Sequence, residues 1–283
     1  VLLNDETVST ETRSAVDVNP SFPADRFDLP AGAAPEFVAE DFFWGGETSQ
    51  FHQEFAALGI PLDVRQTFVQ PTELEPGVWH ITGGSHHSMV VEQQNGVVLI
   101  EAPLYRERSG AILDWVGTNI PGKPVTHVIA THHHADHSAG LRELVAAGAT
   151  VVVANASATA FEDVFAAPST IQPDTLAMNP VAAVIEVVAD AGSFLIDDAN
   201  LPVSAHHMTT THCQDMLVIH VEGQSDYLFE SDLYNPGNGG QALSPTWAQE
   251  LHTFVDATFS APVLVGGHGG VAPFSELEAF VGQ

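Results

Sequence analysis

Residues 131–140 read Thr-His-His-His-Ala-Asp-His-Ser-Ala-Gly, and within them His132, His134, Asp136 and His137 spell H-x-H-x-D-H. No other feature limits so sharply what this chain can become. Neutral imidazole together with carboxylate suits zinc, iron or manganese, and a set this dense can hold two ions rather than one. In an extended segment His132 and His134 point the same way, because side chains two apart share a face. Asp136 and His137 are then left for a second ion beside the first. A short apolar strand at 125–130 runs straight into the motif. That places the cluster at a strand end, where a site on sheet scaffolding is built.

The surrounding pattern is regular from Pro76 onward. Val78–Thr82, 89–92 and 97–101 read as strands, with Gln94-Asn95-Gly96 as a hairpin turn. Residues 105–119 read as a helix, 139–147 as a helix closed by Gly148, 151–154 as a strand and 156–166 as a helix. A second series follows, with strands near 183–188, 201–207, 214–221, 226–230 and 262–265, a helix near 246–258 and a last helix from about 275. Two such series imply an α/β fold of two mixed β-sheets with helices outside, in four layers. Residues 1–75 are Pro- and acid-rich with weak periodicity. Val8, Val16 and Val18 suggest short strands, and 36–59 look partly helical with Phe37, Phe42, Phe43, Phe51 and Phe55 as core anchors. This stretch reads as an N-terminal arm packed on a main domain at 76–283.

Charge narrows the partners. There are 36 acidic residues against 7 basic ones, for a net charge of −29, and Lys123 is the only lysine. Nucleic acid and anionic membranes both require basic patches, so neither is an expected partner. No apolar run reaches the ~18 residues of a membrane helix. A small-molecule substrate is the expected partner, with oligomers left open. Two readings of the acidity fit equally: adaptation to high salt, or a periplasmic or extracellular protein of acidic lineage. The single cysteine, Cys213, rules out an internal disulfide. No signal peptide is apparent, and a first residue other than Met suits a processed or truncated form.

Three further residues sit at strand ends. His212 follows Thr209-Thr210-Thr211, Asp232 closes a strand through Ser231, and His268 lies in Gly266-Gly267-His268-Gly269-Gly270, where glycine lets the backbone come close to a metal. With the motif at 132–137, these residues make 76–283 resemble the metallo-β-lactamase-fold hydrolase superfamily. The resemblance implies an αββα sandwich with the site at the shared edge of the two sheets. It further implies that His132, His134 and His212 hold one divalent ion, that Asp136, His137 and His268 hold the other, and that Asp232 bridges them. Zinc is the expected metal, with iron or manganese as alternatives. By this resemblance a metal-bridging hydroxide attacks an ester, lactone or related bond, and Asp136 orients it as the catalytic carboxylate. Asp232 stands where true β-lactamases have Cys or Ser, which points to the lactonase, glyoxalase II and arylsulfatase-like branches. β-Lactam hydrolysis and an iron-dependent oxidoreductase or sulfur dioxygenase on the same fold are the alternatives. His134, where di-iron members usually carry Glu, weighs against the oxidoreductase.

The remaining candidates carry less signal. His86 and His87 follow an early hairpin at Gly83-Gly84-Ser85 and are substrate-contact candidates, as are Tyr234 and Tyr105. Glu101, where the family often has Asp, is expected to be a structural hydrogen-bond acceptor. Asp215 reads either as a carboxylate that orients a ligand histidine or as a turn residue. Cys213 is expected to be a small buried filler, His133 a loop bystander, and His206 and His207 structural. His52, His80, His127, His220 and His252 carry no signal. Residues 16–30 weakly resemble the last strand of a β-rich domain that precedes some hydrolases of this superfamily, which would make the chain the C-terminal piece of a longer exported precursor.

Overall fold

The computed structural model describes residues 68–170, 173–237 and 239–282, together with the backbone of two short strands, β1 (Leu2–Leu3) and β2 (Glu6–Thr7), which pair antiparallel. The chain divides into two compact units, Val1–Leu62 and Asp63–Gln283. The expected strands at Val8, Val16 and Val18 and the helical stretch at 36–59 lie outside the described residues.

The second unit is built on two sheets. The first has seven strands in sequential order: β3 (Gln70–Glu75), β4 (Val78–Thr82), β5 (Ser88–Glu92), β6 (Val97–Ile100), β7 (Val125–Ile129), β8 (Thr150–Ala154) and β9 (Ile185–Val188). Pairing is antiparallel from β3 to β6 and parallel from β6 to β9. The second sheet has six: β10 (Ser193–Ile196), β11 (Val203–His207), β12 (Leu217–Glu222), β13 (Asp226–Glu230), β14 (Val263–Gly266) and β15 (Val271–Pro273). Only β13 and β14 pair in parallel there.

Alternation along the strands creates the layers, because successive side chains leave a strand on opposite faces. Val97, Leu99, Val128, Val151 and Val153 point outward. They are covered by α1 (Arg106–Asn119), α3 (Leu141–Ala146), α4 (Ala158–Ala166) and α5 (Thr175–Met178), through Ile112, Leu144, Phe161 and Leu176. Val98, Ile100, Ile129 and Val152 point the other way and meet Leu217, Ile219, Val221 and Phe229 of the second sheet. On the far side Val218, Leu228 and Leu264 pack under α6 (Pro245–Thr258) and α7 (Phe274–Val281). The result is the four-layer αββα sandwich expected. A two-residue break at Ala139-Gly140 separates α2 (Ala135–Ser138) from α3, which begins at Leu141, so the helix expected over 139–147 is shorter. Only glycine fits at 140, since a Cβ there would lie 2.2 Å from Ser109 Oγ and 2.9 Å from the Ala102 carbonyl.

β3 lies before Pro76 and pairs antiparallel with β4, so the first sheet includes residues read from the sequence as part of the arm. Its sequence, Gln-Pro-Thr-Glu-Leu-Glu, lacks apolar alternation because it is a largely exposed edge strand. No helix among the described residues is long and apolar enough to cross a membrane.

Candidate metal centre

The turns at 83–87 and 208–216 and the carboxyl ends of β6, β7, β13 and β14 gather at one end of the sandwich, and the seven proposed ligands all emerge there. Ligand sites favour the carboxyl ends of parallel strands, where several chain ends converge. Residues 131–134 leave β7 without helical structure, so His132 and His134 stay on one side, their ring centroids 4.6 Å apart. The turn of α2 then swings His137 away to a second position.

Three overlapping sets of metal-capable atoms result. Glu101, His132 and His137 make up one, all buried; of the other two, His132, His134, His212 and Asp232 form the first group, and His86, His137 and His268 form the second. Asp232 stands between them. Its Oδ2 lies 3.4 Å from His132 Nε2 and 3.1 Å from His212 Nε2, while Oδ1 lies 2.8 Å from His137 Nε2 and 3.1 Å from His268 Nε2. Asp136, half exposed, sits at the rim, with Oδ2 3.1 Å from His86 Nε2 and 3.7 Å from His137 Nε2. His137 Nε2 and Asp232 Oδ1 are buried and make no hydrogen bond. At 2.8 Å from each other they form an ion pair when His137 carries its proton; with His137 neutral both atoms are left without a partner, which is costly unless something else satisfies them. A divalent cation does so, and the donor set of imidazole and carboxylate fits one.

The far sides of the rings are held. Glu101 stands in the left-handed region at φ 63° just past β6, a conformation that disfavours a side chain. Its fully buried carboxylate accepts from Thr131 Oγ1, Ser231 Oγ and His137 Nδ1. His137 thereby presents Nε2 to the centre, the tautomer a metal requires. Glu101 is thus the hydrogen-bond acceptor expected of it. His268 Nδ1 donates to the Ser85 carbonyl at 2.7 Å, and His86 Nδ1 lies 2.8 Å from Ser85 Oγ. The His212 loop is braced by α6, where Glu250 accepts from Thr210 Oγ1 and Thr211 N and Trp247 packs edge-on against the His212 ring at 4.4 Å. His207 bridges Ala191 N and the Gln214 carbonyl at the base of that loop, a structural role, as expected.

Electrostatics follow from crowding. Burial lowers His134 to about 4, and His132 and His212 beside it add to the effect. Burial likewise takes His86 to about 4, against the opposing pull of Asp136. Burial alone would raise the carboxyls of Asp136 and Asp232. The hydrogen bond from His86 and the nearby His137 outweigh that at Asp136, and His137, His132 and His212 do so at Asp232, so both are held well below the carboxylate range. Burial also pushes the Cys213 thiol up, which leaves it a buried, unreactive filler.

Three assignments change. Tyr234 is fully buried in the layer under α6 and α7, with its hydroxyl donating to Glu276 and its ring against Phe280; it is no substrate contact, because this strand-end residue turns into the core. His87 is also buried, edge-on to His80 and 3.3 Å from the Gly84 carbonyl, while its backbone N–H donates to the Gly267 carbonyl. Its place is beneath the loop rather than in the pocket. His133 is more than a bystander: its Nδ1 lies 2.8 Å from the buried Asp215 carboxylate, whose hydrogen bond raises the imidazole above its usual value. Asp215 therefore orients this histidine instead of a member of either metal group. A cleft of about 440 Å³ beside the first group is lined by His133, His134, Ser157, His212, Gln214 and Asp215. A larger hollow of about 600 Å³ lies at the opposite end of the strands, around Glu75, Lys123 and Gln224, away from every metal-capable group.

Sequence reasoning reached the motif, His212, Asp232 and His268 through their strand-end positions. It missed His86 as a member of the second group, and Trp247 and Glu250, for which only the i, i+3 spacing on a helix offered a signal.

The fold and the paired groups define an αββα protein with side chains able to hold metal ions. Residues 81–229 match the family model described as the metallo-beta-lactamase superfamily. The chain belongs to that superfamily. Among solved structures, a metallo-beta-lactamase from Pontibacter korlensis is 21% identical with a TM-score of 0.56, covering 76% of this chain and 98% of that one. A metallo beta lactamase from Hirschia baltica is 18% identical with a TM-score of 0.55, covering 75% and 96%. At such identities they speak for the fold alone. A curated relative, a linear primary-alkylsulfatase from a Pseudomonas species, is 32% identical over 74 residues, 26% of this chain. The match spans 11% of that relative's length.

Proposed function

We propose that the chain is a binuclear metal-dependent hydrolase, with zinc as the metal, acting on an ester, lactone or related bond of a small molecule. The superfamily consists mostly of hydrolases. The observation that carries the two-ion reading is Asp232, whose two oxygens face two separate histidine groups at 2.8–3.4 Å. When bound, a pair of zinc ions supplies a water acidified toward neutrality and a Lewis acid for the substrate oxygen.

The chain's own residues do the rest. His132, His134 and His212 would hold one ion, Asp136, His137 and His268 the other, and Asp232 would be shared between them. Asp136, ionised and half exposed at the rim, is placed to accept a hydrogen bond from the attacking water and so to orient it. The cleft beside the first group is of a size for a small molecule. His133, held by Asp215, offers its free ring edge to that cleft. Long-range charge disfavours anions, yet bound zinc reverses the sign locally.

Within this reading a sulfate ester is one specific candidate, supported by the short match to the linear primary-alkylsulfatase. The test is a panel of carboxylic ester, lactone, phosphodiester, linear alkyl sulfate and β-lactam, run on the zinc-loaded protein. Turnover on at least one of the first four, lost with chelator and with Asp136→Ala, is expected. Zinc-loaded protein that turns over none of them overturns the proposal.

A further inference from the structure

We infer that His86, from the β4–β5 turn, is a direct ligand of the second ion, so that this ion is held by His86, His137, His268, Asp232 and Asp136. The inference rests on the two-ion reading above and adds a histidine to the set that the resemblance implies. Its geometry is that of a coordination shell. The successive separations among the donor atoms are 3.1 Å (His86 Nε2 to Asp136 Oδ2), 3.7 Å (Asp136 Oδ2 to His137 Nε2), 2.8 Å (His137 Nε2 to Asp232 Oδ1) and 3.1 Å (Asp232 Oδ1 to His268 Nε2). Donors about 2.1 Å from a common centre lie roughly 3.0–3.4 Å from one another along the edges of their polyhedron. The His86 ring closes the circuit, with its centroid 4.7 Å from that of His137 and 4.2 Å from that of His268.

The loop is built to keep His86 there. His86 is buried. Gly83 adopts φ +107°, and a Cβ at that point would lie 2.4 Å from the Phe68 carbonyl, so the turn is reserved for glycine. Ser85 contacts both rings, His86 through its hydroxyl and His268 through its carbonyl. The next residue ties the loop to the turn that carries His268, by the bond from His87 N to the Gly267 carbonyl at 2.7 Å. The two histidines thus move as one piece. The cleft lined by His134 and His212 lies beside the first group, so substrate is expected to approach from that side.

The rival role is a hydrogen bond from His86 to Asp136 with no metal contact. His86→Gln separates the two, since it keeps a side-chain donor for Asp136 but removes the imidazole; His86→Ala removes both. Zinc affinity is measured by competition with a chromophoric chelator, alongside a zinc-edge anomalous map of the loaded parent protein. The parent should take up two zinc ions, with His86 Nε2 at about 2.0–2.1 Å from one of them. Both variants should keep the first ion at parental affinity, which also shows that they fold, and lose affinity for the second by about 100-fold or more, beyond the usual effect of an outer hydrogen-bond partner. His86→Gln that holds the second zinc as tightly as the parent, or His86 Nε2 beyond 3 Å from both ions, overturns the inference. A parent that binds one zinc instead overturns the two-ion reading itself.

Discussion

Glu101 has a conformation unfavourable for a side chain and a fully buried carboxylate, and both make sense only through its partners. It ties Thr131 and His137, at the two ends of the histidine motif, to Ser231, the neighbour of Asp232. A Gln in its place keeps the volume but loses the charge and one acceptor oxygen. Glu101→Gln is expected to weaken binding of the second ion by about 10- to 100-fold while the protein remains folded, which chelator competition and far-UV circular dichroism would check. Unchanged affinity would contradict the role assigned here. At this scale the sequence was informative where a residue ended a strand and silent where its partner was distant. His133 is paired with Asp215, 82 positions away, and nothing in the motif's spacing shows that partner. His86 was visible as a candidate, but its participation in the second group depends on how the 83–87 turn meets the turn at 268.

Among the elements, α6 has the most specific duty. Its residues Trp247 and Glu250, one turn apart, clamp the loop that carries His212. Helix faces repeat at this spacing, so a single helix position sets both contacts. Glu250→Ala and Trp247→Ala should each lower affinity for the first ion by roughly 10-fold or more and leave the second unaffected; equal losses at both sites would point to general unfolding instead. The interior elements were legible because burial on both faces enforces near-continuous apolar runs, as in β6 and β12. The edges were not. β3, β10 and β15 are short or exposed, so burial imposes little pattern on them. α2 is not legible because four residues are too few to show helical periodicity.

For the whole molecule, three apolar layers put the helices outside and leave the strand ends of both sheets free to meet at one end, where the site lies. The cost of that convergence is a set of buried histidines. Burial, the largest cause, takes His86, His87 and His134 from an ordinary 6.5 to about 4. In the fold they are neutral, whereas the unfolded chain protonates them near 6.5. Their stabilising contribution is therefore complete above pH 6.5 and is lost as pH falls through about 4. His137, raised by Asp232 and Glu101 against its own burial, acts in the opposite sense, and its share is lost only as pH rises above that window. Thermal unfolding of the chelated protein should show Tm falling as pH drops from 6.5 to 4; a flat or rising Tm over that range would contradict this assignment.

The central claim, two ions bridged by Asp232, is tested most directly by titrating the metal-stripped protein with zinc and counting the equivalents bound. The structure predicts saturation at two per chain for the parent and a loss of at least one of them in Asp232→Ala. Saturation at one equivalent, or two equivalents retained at parental affinity without the Asp232 carboxylate, would contradict it.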